Sequence, residues 1–125
     1  MAPGFRRLIA WQKAYEFTLT VYKETQGFPK HELYGLTSQL RRATVSILAN
    51  ISEGYERPHR KEYLRFLGIA KGSAGEVEAY LMLARDLGYI TDNYLALEAQ
   101  RKEVAMVLIG LIGSLRDQGP GARVQ

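Results

Sequence analysis

The sequence contains no cysteine, which excludes disulfide bridges, thiolate metal sites and cysteine nucleophiles. That fits a reducing cytoplasm, the expected location, although cysteine-free chains are also exported. Proline is scarce, with four residues at positions 3, 29, 58 and 120. Long hydrophobic runs are missing too. The most apolar window, Val104 to Leu115, spans about 12 residues and holds two glycines. A membrane-spanning helix needs roughly 20 apolar residues, so a membrane is not an expected partner. The opening Met1-Ala2-Pro3-Gly4-Phe5-Arg6-Arg7 leads into a polar-studded segment, without the apolar stretch of a secretory signal.

The chemistry of catalysis is equally thin. His31 and His59 are the two histidines, both lie in turns, and neither has another histidine at helical spacing, so no metal is expected. The two helical Glu-x-x-His motifs of di-iron bundles do not occur; Glu56-x-x-His59 is a single one, interrupted by Pro58. Ser46 and Ser73 lack a histidine partner. Gly68, Gly72 and Gly75 fall within a helical pattern rather than between a strand and a helix, so they do not form a phosphate-binding loop. The expectation is a protein without cofactor or enzymatic activity.

What is present is helical periodicity. The prolines and glycines divide the chain into four amphipathic segments, near residues 6–26, 32–53, 59–87 and 91–116, followed by a flexible tail over 117–125. The first repeats Ala10, Ala14, Phe17 and Val21, with Trp11, Tyr15 and Tyr22 on the adjoining face. The second carries Leu33, Leu36, Leu40, Ala43, Ile47 and Ile51. The third carries Tyr63, Phe66, Leu67, Ala70, Ala74, Val77, Leu81 and Ala84. The fourth carries Tyr94, Leu97, Arg101, Val104, Leu108, Leu111 and Leu115. Gly88 reads as a helix C-cap and Thr91 as the following N-cap. Strand-type alternation is absent and the connections are short, which predicts one all-α domain, an antiparallel up-down-up-down four-helix bundle. Val107, Ile109 and Ile112 lie off the main stripe of the fourth helix. That extra apolar surface is either a wide core stripe or a face for self-association.

Two polar constellations stand out. Gln39, Arg42, Ser46, Asn50 and Glu53 form a stripe along the second helix. A symmetric hairpin places residue n of that helix opposite roughly residue 114 − n of the third. Arg42 then faces the neighbourhood of Gly72, Ser73 and Glu76, with an Arg42–Glu76 ion pair as part of the network, and the small residues Ala43, Ser46 and Ala49 oppose Gly68, Gly72 and Gly75 for close approach. The stripe reads either as a binding site or as a hydrogen-bonded network that fixes helix register. With no nucleophile or metal ligand beside it, the structural reading is the stronger.

The second constellation is basic. Lys and Arg number 17 against 13 Asp and Glu, for a net charge of +4. Arg57, Arg60, Lys61, Arg65 and Lys71 gather at the second turn and along the early third helix, with Tyr55 and Tyr63 interleaved and Arg41 as a further candidate. Cations beside aromatic rings suit phosphate contacts with base stacking. An ordinary solvated helix face is the alternative.

Taken together, several blocks resemble a known family. They are Trp11-Gln12-Lys13-Ala14, Phe28-Pro29 with Glu32, Tyr34-Gly35-Leu36 and Gln39-Leu40-Arg41-Arg42-Ala43, then Ser46-Ile47, Ala49-Asn50-Ile51 and Glu53-Gly54. Glu62-Tyr63-Leu64-Arg65-Phe66-Leu67, Ile69-Ala70, Gly72-Ser73, Glu76 and Leu87-Gly88-Tyr89 complete the set. Spread over about residues 8–115, they resemble the four-helix-bundle proteins associated with intervening sequences of 23S ribosomal RNA genes. The resemblance implies ring-like homopentamers without known enzymatic activity. It also implies kinship with the accessory variability determinants of diversity-generating retroelements, basic pentamers that bind a reverse transcriptase and nucleic acid. The expected partners are therefore further copies of this chain, structured RNA or DNA, and a nucleic-acid enzyme. Leu48 stands where the rRNA-insert branch usually has proline, so a kink in the second helix is not expected here. A purely protein-binding scaffold is the alternative, with Trp11, Tyr15 and Tyr22 as its apolar groove.

Overall fold

The computed structural model describes residues 4–118. A 3-10 turn (Gly4–Arg7) leads into helix α1 (Ile9–Thr25). A second 3-10 turn (Lys30–Glu32) precedes α2 (Leu36–Tyr55), followed by α3 (Arg60–Asp86) and α4 (Tyr94–Arg116). Among the described residues there is no strand, and no helix is long and apolar enough to cross a membrane.

Side-chain contacts fix the helix directions. The Trp11 indole N–H, early in α1, donates to Ser52 Oγ near the end of α2 at 2.9 Å. At the opposite end, Arg41 Nε–H donates to Thr25 Oγ1 at 2.8 Å. The Arg60 guanidinium, at the start of α3, donates to the Gln118 carbonyl just past α4 at 2.6 Å. Arg85, at the end of α3, lies 4.7 Å from the ring centre of Tyr94 at the start of α4. Neighbouring helices are therefore antiparallel, and Lys13 closes the bundle by pairing with Glu103 across α1 and α4 at 3.3 Å.

The core is the set of stripes that periodicity picks out, with two changes. All the α1 and α3 positions of the stripe are buried except Phe66, which is half-buried. Leu33 is 48% exposed because α2 begins at Leu36 rather than near residue 32. Pro29 and Gly35 bracket a turn there, and the Glu32 carboxylate accepts the Leu36 N–H at 3.0 Å, acting as the cap of the helix. On α4 the stripe passes through Ile112, which is buried, while Leu111 and Val107 are half-buried and Ile109 is 45% exposed.

The α3–α4 corner shows why α4 starts at Tyr94 and not at Thr91. Gly88 adopts φ +80°, and the Tyr89 N–H donates to the Ala84 carbonyl while Gly88 N–H donates to Arg85. This Schellman closure ends α3 and drives Ile90 into the core. The Thr91 carbonyl then accepts the Tyr94 N–H in a further turn, so Thr91 does not cap the helix; Asn93 precedes it without a side-chain cap bond.

Helices α2 and α3 form the most extensive pair. Their register differs from the symmetric-hairpin expectation, because Ser46 meets Ser73, five residues further along α3. The turn is centred beyond Arg57, as extended His59 delays the start of α3 until Arg60. Gly68, Gly72 and Gly75 consequently face outward, with nothing within 4 Å of where a Cβ would stand, and Ala49 is exposed. The close approach falls instead at Gly54, where a Cβ would lie 2.8 Å from Phe66 Cβ and 3.2 Å from the Tyr63 carbonyl. Helix α2 runs unbroken through Leu48.

Gly54→Ala should destabilise the protein by roughly 1–3 kcal/mol, since Cβ and backbone atoms must move apart. Gly72→Ala, on an exposed helical site, should raise stability of the isolated bundle by about 0.5–1 kcal/mol. Urea midpoints of the two variants against the parent check both.

Tyr63 supplies a pH test. Its ring is fully buried and its hydroxyl has no hydrogen-bond partner among the described residues. Burial, with Tyr55 nearby as a lesser cause, pushes the phenol up from 10.0 to about 12. Below pH 10 both folded and unfolded states hold the proton; above it the unfolded phenol ionises first, so this contribution to stability is lost between pH 10 and about 12. Tyr63→Phe should lessen the loss over about pH 9.5 to 11.5 in denaturant titrations, and at neutral pH should be no less stable.

Candidate nucleic-acid interface

The N-terminus of α1, the C-terminus of α2, the N-terminus of α3 and the C-terminus of α4 meet at one end of the bundle. Arg6, Arg7, Arg57, Arg60, Lys61, Arg65 and Arg116 gather there against Glu53, Glu56, Glu62 and Asp117. The rest of the described chain carries nine cations and nine carboxylates. The net positive charge of the described residues is thus held at this end.

Within the cluster, individual cations differ. Arg57 pairs with Glu53 and lies 4.9 Å from the Phe66 ring centre. Arg65 donates to Glu62 at 3.3 Å and covers Phe66 from 4.5 Å. Phe66 therefore carries two guanidinium groups, an arrangement that holds both in place. Arg60 ties α3 to Gln118. Arg7 donates to the Tyr55 hydroxyl at 3.2 Å. Lys61, Arg6 and Arg116 are exposed, and their side chains form no ion pair among the described residues.

Two sequence candidates lie elsewhere. Lys71 is exposed midway along α3, away from the end cluster. Arg41 sits at the opposite end of the bundle, bonded to Thr25 and stacked 4.7 Å from the Tyr22 ring centre. Of the interleaved aromatics, Tyr63 is buried and Tyr55 half-buried, edge-on to each other at 6.0 Å. Tyr63 is a core residue and offers no stacking face to a base.

The polar stripe of α2 divides as well. Ser46, Asn50 and Ser73 form a compact cluster: the two serine hydroxyls are 2.8 Å apart, and Asn50 Nδ2 donates to Ser46 Oγ at 3.0 Å and to its carbonyl at 2.8 Å. Glu53 turns to Arg57 along its own helix. Gln39, Arg42 and Glu76 are exposed, and the expected Arg42–Glu76 ion pair is not formed. With Ser46 opposite Ser73, Arg42 is level with residues 76–77, but Val77 turns into the core and Glu76 stands on the solvent side of α3.

Three polar arrangements lie outside what the sequence pattern predicts. Arg101, 7% exposed in the core stripe of α4, donates from Nε and Nη2 to both carboxylate oxygens of Glu98 at 2.7 Å and reaches Glu78 at 3.4 Å. Its Nη1 also approaches the Ala74 carbonyl at 3.5 Å. The Glu98–Arg101 spacing of three is the signal that could have found this pair. Glu32 accepts from the Tyr89 hydroxyl at 2.8 Å, joining the α1–α2 turn to the α3–α4 turn. The Leu36 amide first, and Tyr89 second, hold its carboxyl below the usual carboxylate range. Trp11 stacks on Tyr15 at 5.0 Å and touches Phe5 at 5.2 Å while bonded to Ser52, so it belongs to the fold and not to an open groove.

The bundle has a solved counterpart. A crystal structure of a protein of unknown function from the S23 ribosomal protein family of Bacteroides thetaiotaomicron superposes with a TM-score of 0.77 at 26% identity, covering 84% of this chain and 96% of that one. No protein of curated function matches the chain. The model of the 23S rRNA-intervening sequence protein family matches residues 6–110, most of the length, and the chain belongs to that family.

Proposed function

We propose that the protein is a non-catalytic, self-associating bundle, a homopentamer, that binds structured nucleic acid or a nucleoprotein enzyme through its basic end. The observation that carries this reading is the segregation of charge, with seven cations against four carboxylates at one end and nine of each over the rest of the described residues. Ion pairs such as Arg57–Glu53 limit direct phosphate contacts at those residues but leave the net field intact. Lys61, Arg6 and Arg116 are the residues best placed to reach phosphate. Self-association draws support from exposed Met106 and Ile109 on α4 and from the bare outer glycines of α3, where another backbone can approach closely. Assembly would repeat the basic end around a ring, so weak contacts add across subunits. A protein-binding scaffold built on Trp11, Tyr15 and Tyr22 is less favoured, because Trp11 is bonded to Ser52 and stacked on Tyr15, and Tyr22 is covered by Arg41.

Light scattering should give a mass of about 70 kDa, five copies of the 14.1 kDa chain. Fluorescence anisotropy with a labelled RNA hairpin should show affinity falling steeply with salt. Replacing Arg6, Lys61 and Arg116 by alanine should weaken binding uniformly across sequences and lower the salt slope by about one for each phosphate no longer neutralised. Salt-independent binding, or none, would overturn the nucleic-acid role. A monomeric mass would overturn the assembly.

A further inference from the structure

Two outer helix faces carry patterns that the packing of the bundle does not use. Leu95, Ala99, Lys102, Met106, Ile109 and Gly113 recur along α4 in alternating steps of four and three. They lie opposite the buried Leu97, Val104, Leu108 and Leu115, and Leu95 and Met106 are 77% and 59% exposed. That spacing is the seam of a coiled coil, here turned to solvent. On α3 the same steps join Gly68, Gly72, Gly75, Ala79 and Met82, all exposed. Glycine within an exposed helix is unfavourable unless a second backbone comes close. At these three glycines no atom stands within 4 Å of where a Cβ would lie. One face thus offers ridges and the other a groove.

The heights of the two faces match. Arg85 covers Tyr94, Arg101 reaches Glu78 and Arg60 bonds Gln118, which sets residue n of α3 level with about residue 178 − n of α4. Copies related by rotation about an axis along the bundle keep those levels, with α3 of one antiparallel to α4 of the next. Gly72 then stands opposite Met106, Gly68 opposite Gly110 beside Ile109, and Leu83 opposite Leu95. Charge agrees at a further level. Glu76, on the flank of the α3 groove, is opposite Lys102, and neither forms an ion pair among the described residues of its own chain.

We infer that the outer seam of α4 packs into the glycine groove on α3 of a second copy of this chain. The inference rests on the self-association proposed above and assigns the surfaces that meet. The contact is heterologous. Because α3 and α4 are neighbours in the bundle, their outer faces diverge by about a quarter turn, an angle that closes a ring of a few copies rather than a filament. All copies then share one polarity, and their α2–α3 turns gather at one rim.

The chain has no cysteine, so engineered pairs report contacts without background. Gly72→Cys combined with Met106→Cys should give a covalent ladder on a non-reducing denaturing gel after mild oxidation. Each single variant, and Gly72→Cys with Leu95→Cys, should run as a monomer. Positions 72 and 106 lie on the outer faces of different helices, so a bridge between them requires two chains. Gly72→Leu fills the groove and should raise the concentration needed for assembly by at least about tenfold, with helical circular dichroism unchanged. A ladder from Met106→Cys alone would reveal a two-fold α4–α4 contact and overturn the inference. Equal bridging by the mismatched pair, or unimpaired assembly of Gly72→Leu, would overturn it too. An oligomeric parent whose double variant forms no bridge would overturn this contact and leave the proposed assembly standing, whereas a monomeric parent would overturn both.

Discussion

Much of the structure depends on how closely α2 and α3 approach at Gly54. Without a side chain there, Phe66 and the Tyr63 backbone lie directly against α2. That contact buries the whole Tyr63 ring and sets the register in which Ser46 meets Ser73. It also positions Phe66 beside Arg57, from the turn, and Arg65, from α3. A packing constraint thus decides where two guanidinium groups point, and the basic end inherits its geometry from the core.

The fold was legible in the sequence because burial repeats at helical spacing. Ala10, Ala14, Phe17 and Val21 need no tertiary information to be placed on one face, and the same holds for Leu67, Ala70, Ala74 and Val77. Helix starts were less legible. Glu32 caps α2 from outside the helix, and the Schellman turn at Gly88 delays α4, both through hydrogen bonds that composition does not reveal. Register was the least legible feature. Ser46 meets Ser73 five residues from the symmetric expectation, and Gly68, Gly72 and Gly75 lie on the outer face of α3, away from the buried Leu67, Ala70, Ala74 and Val77. Arg42 and Glu76 stay apart because both point to solvent, while Ser46 bonds Asn50 on its own helix and Ser73 across the seam.

The residues that carry the family resemblance have mostly structural employment. Trp11 bonds Ser52, Glu32 bonds Tyr89, and Gly54 admits Phe66. Each joins separate elements of the bundle, so these motif positions tie turns and helices together. Residues suited to contacting a partner lie outside these ties, as Lys61 and Arg116 do, and nothing in the core dictates their identity.

Internal pairing and external binding are compatible here because they act over different ranges. A guanidinium paired with Glu53 or Glu62 is fixed in orientation and loses much of its capacity for a new short-range bond. Its field, summed with its neighbours, still extends about 8–10 Å into physiological salt. Since the remaining described residues carry nine cations and nine carboxylates in total, the net charge of the described chain lies at this end. A single chain offers a weak potential of this kind. Copies arranged with their axes aligned would reinforce it, whereas copies arranged head to tail would bury each basic end against a neutral one. Under the proposed assembly, only the first arrangement would turn the charge segregation of the bundle into a binding surface, so the polarity of the ring would matter to that proposal as much as its copy number.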